Sequence, residues 1–350
     1  MIGSDIHGSV FPYFARWRGV FGKVFVYWLG TEPFLYVADP EFLKSATGGA
    51  LGKSWGKPGV FRRDRMPMFG RGLVMAEGDV WARHRHIIAP AFSATNLNRM
   101  LRLMAETTAR MIGEWSQAVE EAGGGAAVVD VERGIVRNAA EIIARASFGG
   151  TDALVFEKLQ AMQAMLFQSN RLVGEALRQE IRDVLPPDDG DGSSMVITVE
   201  ALGRLTKMGW VMSEVLRLYP PSPNVQRQAL REVAGRIPAG TNMWVDVVAM
   251  HRDADLWPGH DVNEFRPERF ARDPVQGGCR HRMGYIPFGF GGRICVGRNL
   301  TSMEYRVVLA MLLPRFRLSV APQYRHAPKI MLSLRPSNGI QLQLTPLPTY

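Results

Sequence analysis

The sequence predicts a chain built mainly of helices, with strands that are short and few. Apolar residues recur at the spacing of an amphipathic helix in the longer segments. Alternating apolar and polar residues occur only in short runs bounded by turn residues. The predicted helices are residues 78–101, 104–119, 131–148, 152–172, 175–184, 200–218 and a last one that begins near Leu300 and stops before Pro314. The predicted strands are residues 23–29, 33–37, 225–233, 240–246, 316–320 and 329–334.

The first 75 residues combine a hairpin, a short helix and a loop. Residues 23–29 and 33–37 are expected to pair, because a Gly-Thr-Glu turn separates these two strand-like runs. An Asp-Pro pair follows, which is typical of a helix start with Asp39 as the N-cap. Residues 52–75 are rich in glycine, arginine and phenylalanine and are predicted to form a loop.

Composition argues against several classes of protein. The chain has 350 residues, an apolar fraction of 46% and a formal charge of +9. A basic balance can indicate nucleic acid, an anionic membrane or an acidic protein partner. We do not expect nucleic acid, because no lysine-rich run or interleaved aromatic stripe occurs. No apolar run approaches the ~20 residues of a membrane-spanning helix, and the two cysteines do not make a disulfide framework.

One segment points to a specific chemistry, the run Phe-Gly-Phe-Gly-Gly-Arg-Ile-Cys-Val-Gly at residues 288–297. It places Cys295 just before a predicted helix, where free backbone N–H groups and the helix dipole stabilise a thiolate. Arg293 adds a guanidinium two residues away. A thiolate in such a glycine-rich bend suits a single axial bond to haem iron.

Other interpretations compete for this segment. A lone cysteine is more often a small buried hydrophobic residue, and the loop by itself leaves that open. A phosphate-binding loop would need lysine and then serine or threonine where Arg298 and Asn299 stand. A dinucleotide-binding loop would need its third glycine at Ile294. The two nucleotide-binding interpretations therefore fail.

Companion motifs accompany this segment. Trp81 and Arg85 are four residues apart in a predicted helix and share one face, and Glu214 and Arg217 can pair at a spacing of three. A Phe-Arg-Pro-Glu-Arg-Phe run then follows at residues 265–270. In this order, and with the complete Phe-x-x-Gly-x-Arg-x-Cys-x-Gly pattern, these motifs resemble those of cytochrome P450 enzymes.

The resemblance covers about residues 22–347. It implies a mainly α protein with small β-sheets, the cytochrome P450 fold, as a single domain over residues 1–350. It makes Cys295 the proximal ligand of the iron in haem b. The other cofactor-binding residues that it implies are Trp81, Arg85, Arg227, Phe288, Arg293 and Gly297. The residues of a buried structural triad that it implies are Glu214, Arg217 and Arg269.

Residues 52–58 and 83–92 resemble plant members of the 72 clan of this family. The implied function is that of a haem-thiolate monooxygenase, which hydroxylates a small hydrophobic molecule of the hormone, terpenoid or fatty acid type. It uses O2 and electrons from NADPH–cytochrome P450 reductase. Such members reside at the endoplasmic reticulum membrane. Since the family's N-terminal anchor is not found here, a peripheral or soluble chain is expected.

The chain departs from the family near residues 172–175. The family's F helix, matched by residues 152–172, is followed almost at once by its J helix, so the G, H and I helices have no room. The acid–threonine pair of the I helix is not found, and no catalytic residue is assigned. Without the I helix, the apolar faces of the helices at 131–148, 200–218 and Leu300 onward are expected to be exposed. The alternative function is therefore a non-catalytic fragment or splice form, with or without haem.

The resemblance also implies candidate substrate contacts. They are Phe61, Met66, Met68, Phe69, Met162, Met165, Leu166 and Asn170.

Overall fold

A computed structural model describes residues 6–148, 171–185, 197–330 and 333–348. The α-helices are α1 Ile6–Val10, α2 Pro12–Phe21, α3 Pro40–Thr47, α4 Gly59–Asp64, α5 Met66–Phe69, α6 Gly78–Ile88, α7 Ala94–Glu121, α8 Val131–Phe148, α9 Arg171–Val184, α10 Val199–Arg204, α11 Thr206–Leu218, α12 Val247–His251 and α13 Arg298–Leu312. The strands are β1 Val24–Leu29, β2 Glu32–Val37, β3 Trp55–Gly56, β4 Ala127–Asp130, β5 Asn224–Ala229, β6 Asn242–Asp246, β7 Phe316–Val320, β8 Pro328–Ile330, β9 Leu334–Pro336 and β10 Gln341–Pro346. The prediction of a mainly helical protein with small sheets is confirmed.

The chain forms two compact units. Unit 1 comprises Met1–Ser93, Arg217–Phe265 and Val275–Val296. Unit 2 comprises Ala94–Leu216, Arg266–Pro274 and Gly297–Tyr350. The single domain inferred from the sequence stays a prediction. No helix in the described part of the chain has both the length and the hydropathy needed to span a bilayer.

Unit 1 is built on a five-stranded sheet in the order β1-β2-β6-β5-β3. The predicted hairpin is confirmed, since β1 and β2 pair antiparallel from Val24 opposite Val37 to Leu29 opposite Glu32. The predicted N-cap is confirmed as well, because the Asp39 carboxylate accepts a 2.7 Å hydrogen bond from a backbone N–H of α3. Strand β2 runs parallel to β6, and β5 pairs antiparallel with both β6 and β3. The sheet thus fixes the positions of the side chains on β5.

Unit 2 packs its helices around a three-stranded sheet, β4-β10-β7, and a β8–β9 hairpin. The apolar face of α7 contacts α8 and α13. The apolar residues of α8, α11 and α13 that are buried include Ile135, Ile142, Met208, Val211, Val308 and Leu312. The expectation that the apolar faces of these helices are exposed is therefore wrong for the described residues. Their apolar residues are buried, and α7 packs against α8 and α13.

Several predicted boundaries are also wrong. The helix expected at 78–101 ends at Ile88, and a 3-10 turn at Ala89–Phe92 separates it from α7, since Pro90 cannot donate a helical hydrogen bond. Residues 104–119 are only the later part of α7. The loop expected at 52–75 contains β3, α4 and α5, and the strand expected at 329–334 is replaced by β8 and β9. Most of the helix expected at 152–172 lies outside the described residues.

The helix expected at 200–218 is divided into α10 and α11, and a carboxylate of α9 explains the division. Glu180 is buried and accepts hydrogen bonds from the backbone N–H groups of Lys207 (2.6 Å) and Met208 (2.9 Å). Its other contact is the Thr206 hydroxyl at 3.2 Å. These N–H groups belong to the first turn of α11, so Glu180 acts as its cap from a distant part of the chain.

We expect Glu180→Ala to lower the free energy of unfolding by about 1–3 kcal/mol, because the buried N–H group of Met208 and the part-buried N–H group of Lys207 lose their acceptor. Asp183→Ala is the matched control, since Asp183 is an exposed carboxylate on the same helix. Urea unfolding followed by circular dichroism measures both changes. Equal stability of the two variants would contradict the capping role.

Candidate functional site

The loop that carries Cys295 folds back on itself in unit 1. The backbone N–H of Cys295 donates to the carbonyl of Phe288 at 2.9 Å, and that of Ile294 donates to Gly291 at 3.2 Å. Gly289 and Gly291 have φ values of 76° and 63°, which side chains rarely adopt. Cys295 itself is part-exposed, and its sulfur takes part in no hydrogen bond with the described residues. Cys295 therefore differs from a buried core cysteine in both its exposure and its hydrogen bonding.

The second cysteine has a different environment. Cys279 is buried, and its sulfur donates to the carbonyl of His281 at 3.3 Å. A Cβ added at Gly284 would lie 2.7 Å from this sulfur, so the thiol is closely packed. Burial raises the pKa of the Cys279 thiol to about 11. Cys279 is thus a core residue that stays protonated at neutral pH.

Arg293 joins the Cys295 loop to the start of α6. Its guanidinium donates to the carbonyl of Ala76 at 2.8 Å and to the carboxylate of Glu77 at 2.6 Å. It also lies 4.4 Å from the ring centroid of Trp81, the distance of a cation–π contact. Burial lowers the pKa of Arg293, and Glu77 opposes that shift. The guanidinium is held on three sides, which orients this part of the loop.

Arg85 reaches the same loop from one turn further along α6. Its guanidinium donates to the carbonyl of Ile294 at 2.9 Å. The prediction that Trp81 and Arg85 share one face of the helix is confirmed, because both side chains contact the Cys295 loop. Their binding of a cofactor stays a prediction.

Arg227 extends from β5 towards the loop from the sheet side. Its side chain is buried, lies 5.6 Å from the ring centroid of Phe290 and donates to its neighbouring carbonyl at Gln226. Burial and the nearby Arg293 lower the pKa of Arg227 to about 10. This guanidinium has no ion pair with a described carboxylate.

Lys57 is a further cation near the loop, and sequence reasoning did not single it out. Burial, Arg227 and Arg293 lower the pKa of Lys57 to about 8, and Glu77 raises it only in part. Lys57, Arg227 and Arg293 are called the cationic cluster below. Sequence reasoning also missed Glu77. Neither Lys57 nor Glu77 belongs to a motif that indicates a specific chemistry. Only the pairing of β3 with β5 and the fold of the loop bring them to the site.

The predicted structural triad divides between the two units. In unit 2, Glu214 lies 3.5 Å from Arg269 and accepts a hydrogen bond from the backbone N–H of Arg266 at 2.9 Å. In unit 1, the fully buried Arg217 donates to the carbonyls of Val262 at 2.8 Å and His251 at 2.9 Å. The Glu214–Arg269 contact is therefore present, and the Glu214–Arg217 pair stays a prediction.

The remaining predicted residues occupy ordinary positions. Gly297 precedes α13, and its carbonyl accepts the backbone N–H of Thr301 at 2.9 Å. Phe61, Met66 and Phe69 are part-exposed on α4 and α5. The candidate substrate contacts outside the described part are Met162, Met165, Leu166, Asn170 and the side chain of Met68.

Comparison with known proteins identifies relatives of the whole chain. The family model described as Cytochrome P450 matches residues 2–173 and 161–344. Cytochrome P450 714C1 of Oryza sativa subsp. japonica is 31% identical, covering 97% of this chain and 85% of the relative. Cytochrome P450 714D1 of the same organism is 28% identical, with coverage of 97% and 78%. A cytokinin hydroxylase of Arabidopsis thaliana is 26% identical, with coverage of 99% and 86%.

The fold, the cysteine loop and these relatives together define a monooxygenase enzyme by resemblance. More specifically, the chain belongs to the cytochrome P450 family, and its relatives are plant members of that family. Membership implies a haem cofactor.

Both comparisons agree with an internal truncation. The alignment to cytochrome P450 714D1 extends over 455 residues, although this chain has only 350. The family model matches in two parts, which overlap at residues 161–173 of this chain. The exact position of the missing segment, near residues 172–175, stays a prediction.

Proposed function

We propose that this chain is a haem-thiolate monooxygenase with Cys295 as the axial ligand of haem b. The observation that carries the proposal is the closed Cys295 loop, which presents a part-exposed sulfur without a hydrogen-bond partner among the described residues. By contrast, Cys279 is buried and hydrogen bonded. Thiolate-ligated haem, when bound, supplies the activation of O2 that allows an oxygen atom to enter a C–H bond.

The charges around the loop fit haem b. Haem b carries two propionate carboxylates, and the cationic cluster places three basic side chains around a single carboxylate, Glu77. Buried charges are stable only when they are paired. Two propionates therefore match the two positive charges that remain.

The residues of the loop have distinct roles in this proposal. Gly289 and Gly291 allow the chain to turn so that Cys295 lies at its open side. Arg293 and Arg85 hold the loop against α6 through Glu77 and the Ile294 carbonyl.

The substrate is a small hydrophobic molecule, and the relatives favour the hormone class over terpenoids and fatty acids. Two of them, both from Arabidopsis thaliana, bear the name cytokinin hydroxylase. We also propose that NADPH–cytochrome P450 reductase supplies the electrons and that the protein works at the endoplasmic reticulum membrane. Nucleic acid is not a proposed partner.

The test is the carbon monoxide difference spectrum of the purified, reduced chain. We expect the absorption band of thiolate-ligated haem. A protein that folds, as judged by circular dichroism, and takes up no haem would overturn the proposal.

The second candidate is a non-catalytic form, favoured by the truncation that the alignments indicate. The sequence holds no Ala/Gly-Gly-x-Asp/Glu-Thr segment, which is the pattern that the family carries on its I helix. A chain without this segment would lack the acid and hydroxyl side chains that deliver protons to the reaction in the family.

We therefore expect low coupling, with most electrons ending in hydrogen peroxide rather than in product. Product and peroxide per NADPH consumed are measured with a plant reductase. The matched comparison is the same chain with a family I-helix segment inserted near residues 172–175, in which coupling is expected to rise. Tight coupling of the unmodified chain would contradict this expectation.

A further inference from the structure

We infer that His251 is a positioning residue for the Cys295 loop, because its imidazole joins the end of α11 to the segment that enters this loop. The inference rests on the proposed function of Cys295. It assigns a role to a fully buried histidine that lies outside the loop and belongs to none of the motifs that bind a cofactor.

The two ring nitrogens of His251 bind two different segments of the chain. The carbonyl of Arg217 lies 3.2 Å from Nδ1, and the backbone N–H of Ile286 donates to Nε2 at 3.0 Å. A carbonyl only accepts hydrogen bonds and an amide N–H only donates them. Nδ1 therefore carries the proton and Nε2 offers its lone pair, so each nitrogen has one fixed role.

The bond to Ile286 is buried. His251 is fully buried, and Ile286 is only 5% exposed. Pro287 follows Ile286 and has no N–H, so Ile286 supplies the last backbone donor before Phe288 and the loop. A buried N–H that loses its acceptor carries the cost of its desolvation. This contact with His251 therefore holds the entry to the loop.

Further hydrogen bonds connect the Ile286 peptide with Cys295. The carbonyl of Ile286 accepts the backbone N–H of Gly289 at 3.0 Å, which closes a turn. Phe288 lies within this turn, and its carbonyl accepts the backbone N–H of Cys295 at 2.9 Å. A shift of Ile286 is therefore passed through the turn to the backbone of Cys295.

The imidazole is itself held in place. Its ring centroid lies 5.2 Å from that of Tyr285, and Trp257 meets the same tyrosine ring edge-on at 5.7 Å. The guanidinium of Arg217 donates to the carbonyl of His251 at 2.9 Å. Arg217 and His251 thus bind each other in both directions, side chain to backbone carbonyl. A positioning residue needs this kind of support, since its own side chain must not move.

The experiment uses two amide side chains that each replace one ring nitrogen. The amide in His251→Gln extends to about the place of Nε2 and keeps the bond to Ile286. The shorter amide in His251→Asn reaches only about as far as Nδ1, so it keeps the bond to Arg217 and loses the bond to Ile286. His7→Leu is the control, because His7 is another buried histidine of unit 1, and its Nε2 contacts the Asp246 carboxylate at 2.7 Å.

Three quantities are measured on each purified, full-length variant. Amide hydrogen exchange gives the protection of the Ile286 N–H, whether or not haem is bound. The carbon monoxide difference spectrum of the reduced, hemin-loaded chain gives the fraction of haem that has a thiolate ligand. The thermal midpoint gives the stability.

We expect His251→Asn to speed exchange of the Ile286 amide about 10-fold or more, because a buried hydrogen bond is lost. Most of its haem should lack the thiolate band. His251→Gln is expected to keep both the protection and the band, although its thermal midpoint falls as far as that of His251→Asn. His7→Leu lowers the midpoint and leaves the other two quantities unchanged.

The same exchange rate and the same thiolate-ligated fraction in His251→Asn and His251→Gln would overturn the inference, because only one of them keeps the bond to Ile286. So would a loss of the thiolate band in His7→Leu as large as that in His251→Asn, since that marks a general effect of stability. If the folded, unmodified chain takes up no haem, the proposed function fails, and the exchange rates still decide whether His251 anchors Ile286.

Discussion

Cys295→Ala is expected to abolish the absorption band that carbon monoxide gives with reduced, thiolate-ligated haem, and Cys279→Ala is expected to retain it. The physical reason is the difference between the two sulfurs. Cys295 is part-exposed in a loop that Phe288 closes, and its sulfur has no hydrogen-bond partner among the described residues. Cys279 is buried, and burial raises its pKa to about 11, so it stays a thiol that binds iron poorly.

The comparison needs proof that both variants fold. Circular dichroism and the thermal midpoint are measured beside the spectrum. Cys295→Ala removes a part-exposed sulfur and is expected to keep the fold, whereas Cys279→Ala loses some packing against Gly284. Cys295→His is a second variant, which can ligate iron without a thiolate and should shift the band. The same thiolate spectrum from Cys295→Ala and Cys279→Ala would show that Cys295 is not the ligand.

Arg217→Ala is expected to lower the stability of the protein by about 3–5 kcal/mol. The guanidinium is fully buried and donates to the carbonyls of His251, Val262 and Glu264 at 2.9, 2.8 and 3.3 Å. It also lies 5.2 Å from the ring centroid of Trp257. Removing it leaves buried carbonyls without a donor. Since a domain is stable by only about 5–15 kcal/mol, much of the protein should fail to fold.

Soluble yield and thermal midpoint report this loss. Arg204→Ala is the matched control, because Arg204 is an exposed helical arginine in the same part of the chain. Arg217→Lys keeps the charge but not the planar fork of donors, so we expect an intermediate loss. A soluble Arg217→Ala protein with an unchanged midpoint would show that these carbonyls do not depend on the guanidinium.

The sequence predicted structural features correctly where residues close together in the chain determine them. The β1–β2 hairpin follows from its turn, the start of α3 follows from Asp39, and α13 ends just before Pro314. These features depend on hydrogen bonds and steric limits within a few residues. The division of the predicted helix at 200–218 into α10 and α11 was not predicted. The reason is that the cap of α11 is Glu180, which lies more than twenty residues before it in the sequence.

The sequence by itself determined the family, the cysteine loop and the positions of the motif residues. The reason is that the long pattern of glycine, arginine and cysteine is specific, and its glycines allow the local turn of the backbone. Only the tertiary structure decided which charges remain uncompensated. Lys57 directly follows β3, which pairs with β5, and its charge interacts with that of Arg227, whereas Glu77 neutralises Arg293 because the loop folds against α6. Burial and pairing of charges depend on contacts between distant segments, and no local pattern encodes them.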